Sequence, residues 1–135
     1  MKKYISASGY YKLYIPDNWG YSEDENIVSF YDEVNGEGEL QVSSYAISKD
    51  QNIDVASELS EMLTDKIGMQ RQDILPKISV LNNLANFYFT EDKKYWEYYM
   101  VFRNGKLLFI TYNCNQTDIL VQKYIINKIV KSIIL

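Results

Sequence analysis

Histidine is absent from this 135-residue chain, which removes the commonest general base, the commonest zinc ligand and the physiological pH switch together. Cysteine is nearly absent: Cys114 stands alone, so no intrachain disulfide framework and no cysteine-rich metal site can form, and a reducing compartment is expected. Long apolar runs are missing too. The most apolar stretch, 119–135, is broken by Gln122, Lys123, Asn127, Lys128 and Lys131 and cannot span a bilayer. The opening Met1-Lys2-Lys3-Tyr4-Ile5-Ser6 lacks the apolar core of a signal peptide, so the cytoplasm is the expected location. Basic residues are missing locally: between Leu13 and Ser48 there is no lysine or arginine, while Asp17, Glu23, Asp24, Glu25, Asp32, Glu33, Glu37 and Glu39 all fall there. A phosphate backbone is disfavoured as a partner for that region.

What is present fits an ordinary globular domain. Hydrophobic residues make up 47% and charged residues 24% of the chain, close to the globular average, and the length suits one domain, 1–135, that buries a real core. Thirteen tyrosines exceed what such a domain usually carries. Abundant Ile, Asn, Lys and Tyr match an AT-rich bacterial composition. Charge is uneven: residues 1–70 hold 5 lysines and arginines against 13 carboxylates, residues 71–135 hold 9 against 5.

Tyr11-Lys12-Leu13-Tyr14-Ile15 alternates and stops at Pro16-Asp17-Asn18-Trp19-Gly20, a strand followed by turn residues. Strands are expected at 27–31 and 39–47, the latter with Leu40, Val42, Ser44 and Ala46 on one face. The period then lengthens. Val55, Leu59, Met62, Leu63 and Ile67 follow helical spacing, Asn52 or Asp50 can cap the start, and Gly68 stands where a C′ glycine belongs. Two short strands, 78–81 and 85–90, surround Asn82-Asn83. Strands 95–103 and 106–113 flank Asn104-Gly105, a type I′ hairpin signal that sets Arg103 against Lys106, Met100 against Phe109 and Tyr99 against Ile110. Both faces of this hairpin are apolar, which puts it near the middle of a covered sheet. A last helix, capped by Thr117 or Asn115, carries the stripe Ile119, Ile126, Ile129, Val130 and Ile133. The expected fold class is α+β, an antiparallel β-sheet flanked by two helices in an α/β/α sandwich.

Three stretches carry a resemblance: Tyr11 to Trp19; Val28-Ser29-Phe30-Tyr31-Asp32 followed by Gly38 to Tyr45; and the ending Ile129-Val130-Lys131-Ser132-Ile133-Ile134. In this order they resemble the PsbP-like (Mog/PsbP-type) fold family. The resemblance implies a non-enzymatic module that acts through its surface, as extrinsic subunits, adaptors or immunity proteins do. It carries over no functional residue.

The candidate binding surface consists of the acidic stretch and its tyrosines: Asp17, Trp19, Tyr21, Glu23, Asp24, Glu25, Asp32, Glu33, Glu37 and Tyr45. Clustered carboxylates would dock a basic protein partner; ordinary solvation of an acidic face is the plainer explanation of them. Leu120, Tyr124 and Leu135 lie opposite the stripe of the last helix and mark a possible interface, including a homodimer, unless the chain's own N-terminal segment covers them. The alternative function is small-ligand or carbohydrate binding in an aromatic cleft drawn from Phe87, Tyr88, Phe89, Tyr95, Trp96, Tyr98, Tyr99 and Phe102, although most of these rings suit a core. No cofactor or metal is expected, since Val34 stands where a calcium loop from Asp32 needs an oxygen ligand. No nucleophile and base pair can be named, so no catalysis is expected.

Overall fold

The computed structural model describes residues 1–35, 38–48 and 50–135. The strands are Lys2–Ile5 (β1), Lys12–Ile15 (β2), Trp19–Asp24 (β3), Ile27–Asp32 (β4), Glu39–Ala46 (β5), Ser79–Leu81 (β6), Leu84–Glu91 (β7), Lys94–Arg103 (β8) and Lys106–Asn115 (β9). The helices are Val55–Ile67 (α1), Arg71–Ile74 (α2) and Ile119–Lys131 (α3), with 3-10 turns at Leu75–Lys77 and Gln116–Asp118. Seven strands form one sheet in the order β3-β4-β5-β9-β8-β7-β6, and β1 and β2 form a separate pair. Every pairing is antiparallel.

The Asn104-Gly105 turn adopts φ 53° and 72°, the two left-handed positions that type I′ geometry requires. Arg103 therefore faces Lys106, and the register runs outward to Lys94 against Asn115. The same device closes two more hairpins, at Asn82-Asn83 and Asp92-Lys93. β8 and β9 lie at the centre of the sheet and are covered on both faces. On one face Tyr95, Tyr99, Val101, Leu108, Ile110 and Tyr112 pack with Leu13 and Ile15 of β2 and Ile126, Ile129 and Val130 of α3. On the other, Tyr98, Met100, Leu107 and Phe109 pack under Val55, Leu59 and Leu63 of α1 and Ile74 of α2. The α/β/α sandwich is thus as expected, with the β1–β2 hairpin sharing one outer layer with α3.

Local corrections follow from how the chain enters its helices. α1 is capped by Asp54, whose carboxylate accepts from the Ala56 and Ser57 amides at 3.1 and 3.2 Å, and not by Asn52 or Asp50. The chain is irregular through 51–54, so helical geometry starts only at Val55. Gly68 ends α1 at φ 71°, as its position requires. At α3 a 3-10 turn intervenes and Asp118 takes the cap position, displacing Thr117 and Asn115 from it. No helix among the described residues is long and apolar enough to cross a membrane.

One carboxylate lies inside the larger core. Glu97, on β8, is buried; its Oε1 accepts from Tyr95 Oη at 2.9 Å and its Oε2 from Asn86 Nδ2 at 2.9 Å. Tyr99 reaches the same group. Each oxygen is therefore satisfied by neutral donors, as a buried carboxylate demands.

Candidate functional site

β1 and β2 are joined by a tight loop in which the Ser6 amide donates to Tyr11 O at 3.0 Å, the Gly9 amide to Ser6 O at 2.9 Å and the Tyr11 amide to Ser6 Oγ at 3.2 Å. Gly9 supplies the left-handed residue this requires, at φ 77°. The loop turns Tyr11 inward and leaves Tyr10 at the rim. Opposite it lies the β3–β4 turn, with Glu25 in the left-handed region at φ 54°. There Asn26 O accepts from the Ser44 amide at 3.2 Å and Asn26 Nδ2 donates to Ser44 O at 3.3 Å, which ties the turn to the end of β5. Between loop, turn and strand end is a hollow of about 410 Å³, walled by Tyr4, Tyr11, Glu23, Glu25, Ser44 and Tyr45 among others.

Its floor is aromatic and its acceptor is a carboxylate. The Tyr4 ring meets Phe30 edge to face at 5.0 Å and Tyr21 at 4.7 Å, and its hydroxyl donates to Glu23 Oε1 at 2.7 Å. Tyr11 is 3% exposed, and its hydroxyl is the one buried side-chain polar atom among the described residues that makes no hydrogen bond. Burial raises the phenol pKa of both Tyr4 and Tyr11, and the neighbouring Glu23 raises each further. Lys106 Nζ stands 4.5 Å from the centre of the Tyr10 ring at the rim. Among the described residues neither Glu23 nor Glu25 pairs with a lysine or arginine; the ion pair found there joins the Met1 amino group to Asp17 at 3.4 Å.

Burial also raises the phenol pKa of Tyr95, Tyr98 and Tyr99. The unfolded chain loses these protons near the ordinary tyrosine value of about 10, while the folded chain keeps them to higher pH. It then binds more protons than the unfolded chain, so stability falls as pH rises. Stability is expected to be unaffected by these groups up to about pH 10 and to decline above it. An alkaline titration followed by phenolate absorbance should show Tyr4, Tyr11, Tyr95, Tyr98 and Tyr99 ionising only with unfolding; smooth titration of all thirteen tyrosines in the folded state would contradict this.

The structure divides the sequence-based candidates. Glu23, Glu25 and Tyr45 line the hollow, exposed Tyr21 flanks it through Tyr4, and Asp24 lies exposed beside them on the outermost strand. Asp17 and Glu33 are exposed but outside the hollow, the Glu33 side chain resting against Gly20. Trp19 is a correction: at 1% exposure it is a core side chain, because strand alternation turns it towards the β1–β2 layer. Asp32 is another, buried within its own turn. Its Oδ1 accepts from the Val34 and Asn35 amides and Asn18 Nδ2 at 2.9, 3.1 and 3.0 Å, and its Oδ2 from Asn35 Nδ2 at 2.9 Å. Burial alone would raise its pKa, but these four donors win and lower it. Glu37 lies outside the described residues. Of the apolar set on α3, Leu120 is 88% exposed and Tyr124 is exposed, whereas Leu135 packs against the core, where the backbones of Lys12 and Ile134 exchange hydrogen bonds.

Tyr4 and Tyr11 are the residues that the sequence reading missed as site residues. Their signal is the spacing of Tyr4, Tyr10 and Tyr11 around Ser6 and Gly9, a tyrosine-rich hairpin opposite the acidic turn. The aromatic cleft is mostly filled: Phe89, Tyr98 and Phe109 stack at 6.2 Å under α1, and half-buried Trp96 borders two adjoining shallow hollows of about 350 and 260 Å³. No group of three or more cysteines and carboxylates that could hold a metal is found among the described residues.

The arrangement is a PsbP/Mog1-like α+β fold. A structure from Bacteroides thetaiotaomicron superposes with TM-score 0.67 at 13% identity over 98% of this chain, which spans 47% of that longer protein. Cyanobacterial PsbP (CyanoP) from Synechocystis superposes with TM-score 0.64 at 14% identity, covering 99% of this chain and 91% of that one. A point mutant of the protein Mog1 gives 0.59 at 6% identity, covering 98% and 94%. No protein-family model matches the chain, and no curated protein sequence does either.

Proposed function

We propose that the protein is a non-enzymatic protein-binding module, of adaptor or immunity type, that docks a basic partner on the face formed by β3, the β3–β4 turn and the adjoining hollow. The observation that carries this reading is that Glu23, Asp24 and Glu25 stand together without a lysine or arginine to pair them among the described residues. Unpaired carboxylates beside a concavity raise the encounter rate with a cationic surface and repel phosphate and anionic headgroups. The non-enzymatic part rests on the lack of histidine and the burial of Cys114. A lone buried thiol also fits a cytoplasmic setting.

The test is titration with a hexalysine peptide at low and moderate ionic strength. Binding should weaken steeply as salt shortens the screening length to about 10 Å at 0.1 M, and Asp24→Lys should weaken it while Trp96→Ala leaves it intact. Salt-independent binding would remove the electrostatic reading. A second reading, small-ligand or carbohydrate binding, is favoured by the half-buried Trp96 between its two hollows; it predicts that a sugar or metabolite panel raises the melting temperature and that Trp96→Ala abolishes the effect.

A further inference from the structure

The hollow holds more than negative charge. Tyr11 places a buried hydroxyl with no partner at its wall, and a buried polar group left unmade costs the fold stability. Such a group calls for a hydrogen-bonding partner that the described residues do not supply. Glu23 supplies a carboxylate of which Tyr4 takes Oε1. Tyrosine faces line the same space, and at its rim the Tyr10 ring already holds the ammonium of Lys106, an attraction that desolvated rings exert on cations generally.

We propose that this hollow receives a single cationic side chain, a lysine ammonium or arginine guanidinium, presented by a protein partner and held between the Glu23 carboxylate and the Tyr11 hydroxyl oxygen. The inference rests on the docking reading above and adds the specificity site to it. A protein source is chosen over a free amine because a phenol needs an acceptor as well as a donor. The peptide carbonyl that accompanies such a side chain can accept from Tyr11, whereas an alkylamine offers none. The volume, about 410 Å³, leaves room for a side chain with its peptide group.

The experiment compares three probes by calorimetry on the intact chain: N-acetyl-lysine methylamide, its neutral isostere N-acetyl-norleucine methylamide, and pentylamine. The lysine derivative should bind, the norleucine derivative should bind at least tenfold more weakly, and pentylamine should fall between them. Glu23→Gln should weaken the lysine derivative at least tenfold. Tyr11→Phe should weaken it severalfold and at the same time raise the melting temperature, because it deletes the unmet hydroxyl. A purely structural tyrosine would not give that pairing. Equal binding of norleucine, or an unchanged affinity in Tyr11→Phe, would overturn the inference, and pentylamine binding as tightly as the lysine derivative would overturn its protein source. If hexalysine binding is salt-sensitive and lost in Asp24→Lys but indifferent to Glu23→Gln and Tyr11→Phe, the pocket fails and the docking face stands. If the lysine derivative binds and hexalysine does not, the docking face fails alone.

Discussion

Glu97→Ala is expected to destabilise the protein by about 2–6 kcal/mol, since each donor left unmet inside a core costs roughly 1–3 kcal/mol and the buried Tyr95 and Tyr99 hydroxyls are stranded together. Tyr95 Oη and Asn86 Nδ2 lose acceptors at 2.9 Å, and Tyr99 loses the same carboxylate. The two phenols cannot turn to solvent from the middle of a sheet covered by β2 and α3, whereas half-buried Asn86 keeps its bond to Tyr98 O. Glu97→Gln keeps the shape and one acceptor and should cost much less. Urea denaturation of the two variants checks the difference; equal losses would mean that volume, and not hydrogen bonding, holds this part of the core. Networks of this kind are worth more than their separate bonds, so Asn86→Ala combined with Glu97→Ala should be less damaging than the sum of the two.

The largest functional effect is expected from Glu23→Lys. It inverts the charge at the wall of the hollow and sets an ammonium where the partner's cation is proposed to sit. Loss of one member of a hydrogen-bonded charge pair that the bound partner buries costs about 2–5 kcal/mol. Affinity for hexalysine should therefore drop by about thirtyfold or more, with circular dichroism and melting behaviour close to those of the parent, because Glu23 is exposed. Glu33→Lys, outside the hollow, should act weakly and mainly through the association rate. Asp32→Lys is a different kind of variant: it removes the acceptor of four hydrogen bonds and unfastens the turn after β4. Any binding loss in it would report the fold and not the face.

What the sequence made legible was local. Asn104-Gly105 determines its own register because only a left-handed pair closes a two-residue hairpin, and apolar residues on both faces of β8 and β9 can be satisfied only at the centre of a covered sheet. Gly68 ends α1 for the same kind of reason. Apart from the two helix caps, the misreadings are tertiary. Trp19 and Asp32 read as surface because they sit among charges, yet strand alternation buries the one and four converging donors bury the other. Glu97 carries no signal in the sequence, since nothing in its neighbours along the chain says that Asn86 and Tyr99 will meet it. The hollow is assembled from residues 4–11, 23–26 and 44–46, so it exists only once the β1–β2 hairpin has folded onto the sheet. Its acidic members were visible as a run without basic residues, whereas Tyr4 and Tyr11 look like ordinary strand aromatics until the burial of one unmet hydroxyl sets them apart.

The central claim is that a cation enters between the β1–β2 loop and the β3–β4 turn. Amide chemical shifts recorded while N-acetyl-lysine methylamide is added to isotope-labelled protein test it most directly. Shifts should concentrate at Tyr4, Tyr11, Glu23, Asn26, Ser44 and Tyr45 and vanish in Glu23→Lys. Shifts centred instead on Phe89 and Trp96, or on Leu120 and Tyr124, would contradict it.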